Sequence, residues 1–184
     1  MTVDFSACEN MLIVGEAGSG KTTILQNILI SLSRNLSPRD LHFYVLDYSS
    51  RMMKAFRPLP HCGAVLQEED EDSLEEFFKL INGLIAQRKK LFSELEVDNF
   101  NDAQAKTELP LILVVIDNFS GLSASKKGEA IAYALQNYIK NSGAYGVRYI
   151  VTSNYLNELS SRIRQELPCR ICLHMKDKYD YSDA

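Results

Sequence analysis

Apolar runs of strand length alternate with amphipathic helical patterns along the whole chain of 184 residues. A continuous apolar run of about four to eight residues predicts a buried strand, whereas apolar residues that recur every three or four positions predict a helix packed by one face. On this basis the predicted strands cover residues 11–14, 41–46, 63–66, 111–116, 148–152 and 170–175.

The predicted helices lie between these strands. The clearest covers residues 73–95, where Ser73 and Glu76 fit a capping box. Others cover 21 to about 35, 126–141 and 157–166, with a short helix inside the polar segment 97–108. Alternating strands and helices are typical of an α/β fold with a mostly parallel, twisted sheet and helices on both faces.

Composition and charge narrow the classes of protein. Apolar residues are 46% and charged residues 24% of the chain, as in an ordinary globular protein. The net charge of −4 argues against nucleic acid as a partner, because that binding needs a dense basic surface. The longest apolar run, residues 109–116, is far shorter than the about 20 residues of a membrane span, so we expect no membrane insertion.

The two ends of the chain and its cysteines lead to three expectations. Residues 1–10 contain acidic but no basic side chains, so they do not resemble a secretory signal. The four cysteines are too few for a disulfide scaffold, which predicts a reducing, cytosolic environment. The abrupt end after the last predicted strand indicates a single domain, 1–184, cut from a larger polypeptide.

Residues 15–22 (GEAGSGKT) match the phosphate-loop pattern G-x-x-x-x-G-K-[ST] between a predicted strand and a predicted helix. Glycines let successive N–H groups point at phosphate oxygens, and the helix adds its positive end. Lys21 would contact the β- and γ-phosphates, and the Thr22 hydroxyl would bind Mg²⁺. The predicted cofactors are therefore ATP and Mg²⁺, with a nucleotide site formed by Gly15, Glu16, Ala17, Gly18, Ser19, Gly20, Lys21, Thr22 and Thr23.

Asp117 directly follows the most apolar predicted strand, as the Walker B aspartate does, and we expect it to hold Mg²⁺ together with Thr22. The next residue is Asn118, where many ATPases of this architecture carry glutamate. An amide can orient a water molecule but cannot accept its proton near neutral pH. Because a general base contributes about 10²–10⁴-fold, we expect tight ATP·Mg²⁺ binding with weak or no hydrolysis. Glu68 and Glu69 are the nearest carboxylates that could substitute, with simple solvent exposure as the alternative.

The pair Cys169 and Cys172 has the spacing of some metal or redox sites. Within a strand, positions three apart point to opposite faces, and no second pair lies at zinc-ribbon spacing. We therefore interpret the cysteines as buried, inert thiols, and assign no catalytic role to His61.

Several segments together resemble the FtsK/SpoIIIE-type ATPase modules, most closely the second or third module of the EssC/EccC motor of type VII secretion systems. The likeness covers essentially all 184 residues in order. It implies a RecA-like P-loop core. The segments are 10–23 (NMLIVGEAGSGKTT), 45–51 (VLDYSSR), 59–66 (LPHCGAVL), 87–92 (QRKKLF), 97–100 (VDNF), 109–119 (LPLILVVIDNF), 150–154 (IVTSN), 162–170 and 173–177.

The resemblance also implies a setting. Such modules stand in series on a membrane-anchored chain at the cytoplasmic side of the bacterial cell membrane and drive export of small WXG-type proteins. The implied partners are sister ATPase modules of the same chain, neighbouring subunits and those secreted proteins. Asn118 is typical of the later modules, in which hydrolysis is altered.

Further site residues are implied by the resemblance. A polar residue after the strand that follows Walker B senses the γ-phosphate, and here Ser153 or Asn154 occupies that place, with an ordinary strand-end turn as the alternative. Arg162 and Arg164 are candidates for an arginine finger acting in trans, with surface charges as the alternative.

Two other functions compete with a nucleotide-binding secretion module. One is a docking platform of the same fold that binds no nucleotide, and the other is an FtsK-type DNA translocase, which the acidic balance disfavours. A metabolic kinase is weaker still, because no segment resembles a lid. The exported substrate, the oligomeric state and the preference for ATP over GTP stay open.

Overall fold

In the computed structural model, which describes residues 9–176, six parallel strands form one sheet with the spatial order β3-β2-β4-β5-β1-β6. This confirms the predicted α/β class. The strands are β1 Met11–Val14, β2 Leu41–Asp47, β3 Cys62–Gln67, β4 Leu111–Asp117, β5 Val147–Ser153 and β6 Cys169–Cys172. The last strand is shorter than the predicted 170–175, because residues 173–175 leave the ladder with β1.

The described helices are α1 Lys21–Asn35, α2 Glu71–Leu95, α3 Phe100–Lys106, α4 Phe119–Ala124, α5 Gly128–Ser142 and α6 Ser161–Gln165. Short 3₁₀ turns cover Met52–Phe56, Glu68–Asp70, Gly143–Tyr145 and Leu156–Glu158. The predicted capping box is wrong, since the turn Glu68–Asp70 leads straight into α2 and places Ser73 inside the helix. Helix α4 was not predicted. The predicted helix 157–166 is instead the 3₁₀ turn Leu156–Glu158 followed by the short helix α6.

Apolar side chains cover both faces of the sheet. On β4, Ile112, Val114 and Ile116 face one core cluster, which α2 and α5 complete. Leu113 and Val115 face the other cluster, which α1 completes. A strand buried on both faces needs a continuous apolar run rather than an alternating one, and this explains why 111–116 is the most apolar segment.

Arg88 joins α2 to the loops that flank β4 and β5. The residue is only 5% exposed. Its guanidinium donates to the carbonyl oxygens of Tyr145, Gly146 and Pro110 and lies over the Phe100 ring. Burial lowers the pKa of Arg88 to about 10, so the group stays charged at neutral pH. The segment 87–92 is therefore tied to the fold through this side chain.

Asp47 fixes the turn that follows β2. Its two carboxylate oxygens accept hydrogen bonds from the backbone N–H groups of Ser49, Arg51 and Met53, at 3.1–3.3 Å. The ladder pairs Asp47 with Asp117 of β4, so two buried carboxylates end neighbouring strands at the same edge. The Asp47 carboxylate therefore already accepts hydrogen bonds from the backbone of its own turn.

The cysteines depart from the sequence-based interpretation. Cys172 is an exposed free thiol, and Cys62 is a half-buried free thiol. Cys169 is disulfide-bonded rather than inert, and not to Cys172. The interpretation of Cys169 and Cys172 as buried, inert thiols is therefore wrong, because only the face of β6 that carries Cys169 and Ile171 packs against the core.

Two predictions touch residues beyond the described part. Most of the 1–10 segment and Asp177 of the 173–177 segment lie outside the described residues. Among helices within 9–176, none has both the length and the apolar character needed to cross a membrane.

Candidate nucleotide site

The loop between β1 and α1 bends through two glycines with left-handed backbone conformations. Gly18 has φ +79° and Gly20 has φ +100°, which residues with side chains rarely adopt. A Cβ atom added to either glycine would meet nothing within 4 Å. Backbone conformation, and not packing, therefore requires glycine here, and the space around this loop is open.

Gly15 is required for the opposite reason. A Cβ atom there would lie 2.7 Å from both Leu173 Cβ and Ser19 Oγ. The Glu16 N–H donates to the carbonyl oxygen of His174 at 3.0 Å, and the Leu173 N–H donates to Val14 at 2.8 Å. The segment after β6 therefore packs against the first half of the loop and holds it in place.

The N-terminus of α1 is left without a side-chain cap. Gly20 occupies the cap position, and the first turn contains no acidic residue. The first N–H groups of a helix have no partner within the helix, and they carry its positive dipole end. Next to them, the Ser19 hydroxyl is buried without a hydrogen-bond partner among the described residues and is a further free donor. Such uncapped donors form an anion site.

Lys21 points its ammonium group into the same loop. Its Nζ donates to the carbonyl oxygens of Gly15 and Glu16, at 2.5 and 2.8 Å, and to Asn154 Oδ1 at 2.9 Å. Burial lowers the pKa of Lys21, and the charges of Asp117 and Glu158 act against that shift. Because all three acceptors are neutral, the ammonium charge is not neutralised by direct contact with a carboxylate in this arrangement.

Thr22 and Asp117 meet across the sheet edge. Thr22 Oγ1 donates to Asp117 Oδ2 at 2.7 Å, and Thr152 Oγ1 donates to Asp117 Oδ1 at 2.8 Å. Asp117 is 1% exposed. Burial raises the pKa of Asp117, and the two threonine hydrogen bonds act in the opposite direction. Hydroxyl and carboxylate oxygens are ligands that Mg²⁺ prefers, so this pair fits a magnesium–phosphate complex beside Lys21.

Asn118 has a structural role that the sequence analysis missed. Its backbone is left-handed, with φ +75°, a conformation that asparagine tolerates better than most residues. Its Nδ2 donates to the carbonyl oxygen of Tyr48 at 2.8 Å, and its N–H donates to Thr152 Oγ1 at 2.8 Å. A glutamate could not donate to Tyr48, so local geometry favours the amide at this position.

The order of strands places the end of β5 between the phosphate loop and Asp117. Asn154, directly after β5, contacts Lys21 as described above. Ser153 instead donates to the Tyr155 carbonyl oxygen at 2.9 Å and to the Glu158 carboxylate. Of the two predicted sensor positions, only Asn154 therefore contacts Lys21. Thr152 and Glu158 belong to this edge but stood out by no motif.

The remaining predicted residues lie further out. Ala17 and Thr23 are exposed at the loop and on α1. Glu68 and Glu69 follow β3, which β2 separates from β4, and Glu69 pairs with Arg51 at 3.2 Å. The structure therefore does not bring these carboxylates to Asp117.

The two candidate arginines lie on α6, where Arg162 is exposed and Arg164 is half-buried. Arg162 lines a cleft of about 570 Å³ between α4, α5 and α6, which Glu158 also borders. Neither arginine is a hydrogen-bond partner of Lys21, Thr22 or Asp117. This position is compatible both with an arginine that acts on another subunit and with a simple surface charge.

The profile of the FtsK/SpoIIIE family matches residues 1–184. This chain belongs to the FtsK/SpoIIIE family. The ESX secretion system protein EccC of Geobacillus thermodenitrificans is 28% identical over 172 residues, which are 91% of this chain and 11% of that protein. The chain thus spans a small part of the curated relatives it matches, and these relatives are type VII secretion proteins.

Solved structures give the same result for the fold. The cytoplasmic domain of EssC aligns with a TM-score of 0.88 at 26% identity, covering 95% of this chain and 34% of that chain. ATPases 2 and 3 of Thermomonospora curvata EccC, solved in complex with a signal sequence peptide, align with a TM-score of 0.87 at 25% identity, covering 97% and 33%. The sheet described here is therefore a RecA-like P-loop core that is similar to the cores of the EssC and EccC ATPase domains.

Proposed function

We propose that this chain is an ATP-binding module of a type VII secretion translocase that drives or regulates export of small WXG-type proteins. The parent protein is anchored at the cytoplasmic side of the bacterial membrane, and the partners of this module are sister ATPase modules and the secreted proteins. Membership of the family and the likeness to EssC and EccC domains support this proposal.

One observation carries the nucleotide part of the proposal: Lys21, Thr22 and Asp117 converge beside an uncapped helix N-terminus. The loop N–H groups and Lys21 would hold the phosphates, and Thr22 with Asp117 would hold Mg²⁺. Bound Mg²⁺ supplies charge neutralisation between phosphate oxygens. This favours a nucleotide-binding module over a platform of the same fold that binds none.

The chemistry at Asn118 supports slow turnover. Its amide nitrogen is already engaged by Tyr48, and an amide cannot take a proton from an attacking water molecule near neutral pH. Asp47, the other buried carboxylate of this edge, is occupied by backbone N–H groups. The module therefore binds ATP and depends on neighbouring modules for any efficient hydrolysis.

Calorimetric titration of the chain with ATP tests this function. We expect binding in excess Mg²⁺ and much weaker binding in EDTA, because Thr22 and Asp117 then lack the cation that links them to phosphate. Phosphate release in the same samples should fall far below the about 10 s⁻¹ of a typical enzyme. Absence of ATP binding at millimolar nucleotide contradicts the proposal, and binding with rapid turnover contradicts only its Asn118 part.

Replacing Asp117 with asparagine should separate magnesium use from folding. Removing a group that merely orients a metal ligand costs about 10–100-fold in metal affinity, and removing a ligand should cost no less. ATP binding in excess Mg²⁺ should therefore fall towards its value in EDTA. Burial disfavours the charged form of Asp117, as its raised pKa shows, and a neutral amide has no such cost. The melting temperature without nucleotide should therefore stay equal or rise. An unchanged Mg²⁺ dependence of ATP binding in Asp117→Asn contradicts the assignment. The control is Asp102→Asn, which changes an exposed aspartate of α3 and should bind ATP as the unmodified chain does.

A further inference from the structure

A carboxylate outside the phosphate-loop and Walker B motifs, Glu158, accepts several hydrogen bonds at the end of β5. Its Oε2 accepts from the Asn154 N–H at 2.9 Å, from the Tyr155 N–H at 3.4 Å and from the Ser153 hydroxyl. The side chain is half-buried in the turn that follows β5. One oxygen atom thus collects donors from three consecutive residues and fixes their backbone.

Asn154 connects this carboxylate to the phosphate loop. Its backbone N–H is held by Glu158, while its side-chain Oδ1 accepts from Lys21 Nζ at 2.9 Å. The direction of the Asn154 side chain depends on the backbone conformation that Glu158 fixes. A contact chain therefore runs from Glu158 through Asn154 to Lys21.

The charge of Glu158 acts in the same direction. Burial alone raises the pKa of Glu158, but the surrounding donors, among them the Ser153 hydroxyl and the N–H groups of Asn154 and Tyr155, outweigh it, so this pKa lies below its usual value. The carboxylate is therefore ionised at neutral pH. Because hydrogen bonds to an ionised group are about twice as strong as neutral ones, the charge strengthens the hold of Glu158 on the Asn154 backbone.

We infer that Glu158 is a positioning residue of the nucleotide site, which holds Asn154 against Lys21 and so sets the preference for a triphosphate over a diphosphate. The inference rests on the proposed function. Because Asn154 Oδ1 accepts from Lys21, its Nδ2 is the donor left to contact an oxygen of the γ-phosphate. ADP has no γ-phosphate. Glu158 acts through Asn154, because its Oε2 atom is already occupied by the donors of residues 153–155.

Calorimetry with ATP and with ADP, both in excess Mg²⁺, tests this role in a double-mutant cycle. We expect Glu158→Ala to weaken ATP binding roughly 5- to 20-fold, the scale of one or two lost hydrogen bonds, and ADP binding by less than about twofold. Because Glu158 acts through Asn154, the double variant Glu158→Ala with Asn154→Ala should bind ATP as Asn154→Ala alone does. A residue that merely caps the turn would not give this non-additivity.

Two further variants keep the result interpretable. Glu158→Gln retains the size and one acceptor oxygen and should show an intermediate loss, whereas Glu129→Ala, an exposed glutamate on α5, should bind both nucleotides as the unmodified chain does. Hydrogen exchange should show that the Asn154 amide loses protection in Glu158→Ala while the β5 amides keep theirs.

Three outcomes overturn the inference. They are equal losses for ATP and ADP, full additivity with Asn154→Ala, and an Asn154 amide whose exchange Glu158→Ala leaves unchanged. If the unmodified chain binds neither nucleotide, the proposed function fails and this inference fails with it. If it binds both nucleotides equally, only the inference fails.

Discussion

Lys21→Ala is expected to lower the affinity for ATP·Mg²⁺ by about 100-fold or more, because each charge-assisted hydrogen bond to phosphate contributes about 1.5–3 kcal/mol and Lys21 would serve two phosphates. The side chain already points into the loop, where only neutral oxygens contact it. Its removal therefore costs binding directly. Calorimetry, or competition against a fluorescent ATP analogue, measures the loss.

The variant should remain folded, because alanine is a good helix former and Lys21 opens α1. A circular-dichroism melt checks this point. Lys79→Ala, which removes an exposed lysine from α2, is the matched control and should bind ATP as the unmodified chain does. Binding by Lys21→Ala within threefold of the unmodified chain is the result that contradicts a phosphate role for this lysine.

Arg88→Leu is expected to destabilise the fold by about 3–5 kcal/mol, because each buried carbonyl left without its donor costs about 1–3 kcal/mol. The carbonyl oxygens of Tyr145 and Pro110 lose the guanidinium donor in this variant, whereas the Gly146 carbonyl oxygen loses it but keeps the N–H of Ile112. For a domain of this size, the melting temperature should fall by roughly 10 °C. Thermal and urea denaturation of the two proteins measure the difference.

Lysine cannot reproduce the planar guanidinium that reaches carbonyls on both sides, so Arg88→Lys should recover only part of the loss. The matched control is Lys90→Ala on the same helix, whose side chain is 82% exposed and pairs with Glu94 at 3.8 Å. That change should alter stability by less than about 0.5 kcal/mol. A drop of less than 2 °C for Arg88→Leu would show that the carbonyls find other partners.

The strands and the three long helices that flank the core (α1, α2 and α5) were predictable, because each strand buries an apolar run and each helix an apolar stripe. The phosphate loop was predictable because its glycines and lysine form a pattern with one backbone solution, and Gly18 and Gly20 do adopt left-handed conformations. Asp117 was predictable since a carboxylate directly after a doubly buried strand emerges at the same edge as the loop.

The rest depended on contacts that no local pattern encodes. Glu158 matters through the backbone of Asn154, and Thr152 through the carboxylate of Asp117, so neither carries a motif. The structural role of Asn118 was not predictable, because its partner, Tyr48, is distant in sequence. The sequence indicated no separate role for Arg88, although its buried guanidinium binds backbone carbonyl oxygens from two loops.

The segment that follows the edge strand β6 packs against the phosphate loop, although the two are more than 150 residues apart in sequence. Leu173 abuts Gly15, and the His174 carbonyl oxygen holds the Glu16 N–H. Within the described residues, strand β6 lies at the edge of the sheet and pairs with β1, the strand that leads into this loop. A displacement of that segment would therefore act directly on Gly15 and Glu16 of the proposed nucleotide loop, which would couple the position of this end of the domain to the shape of the loop.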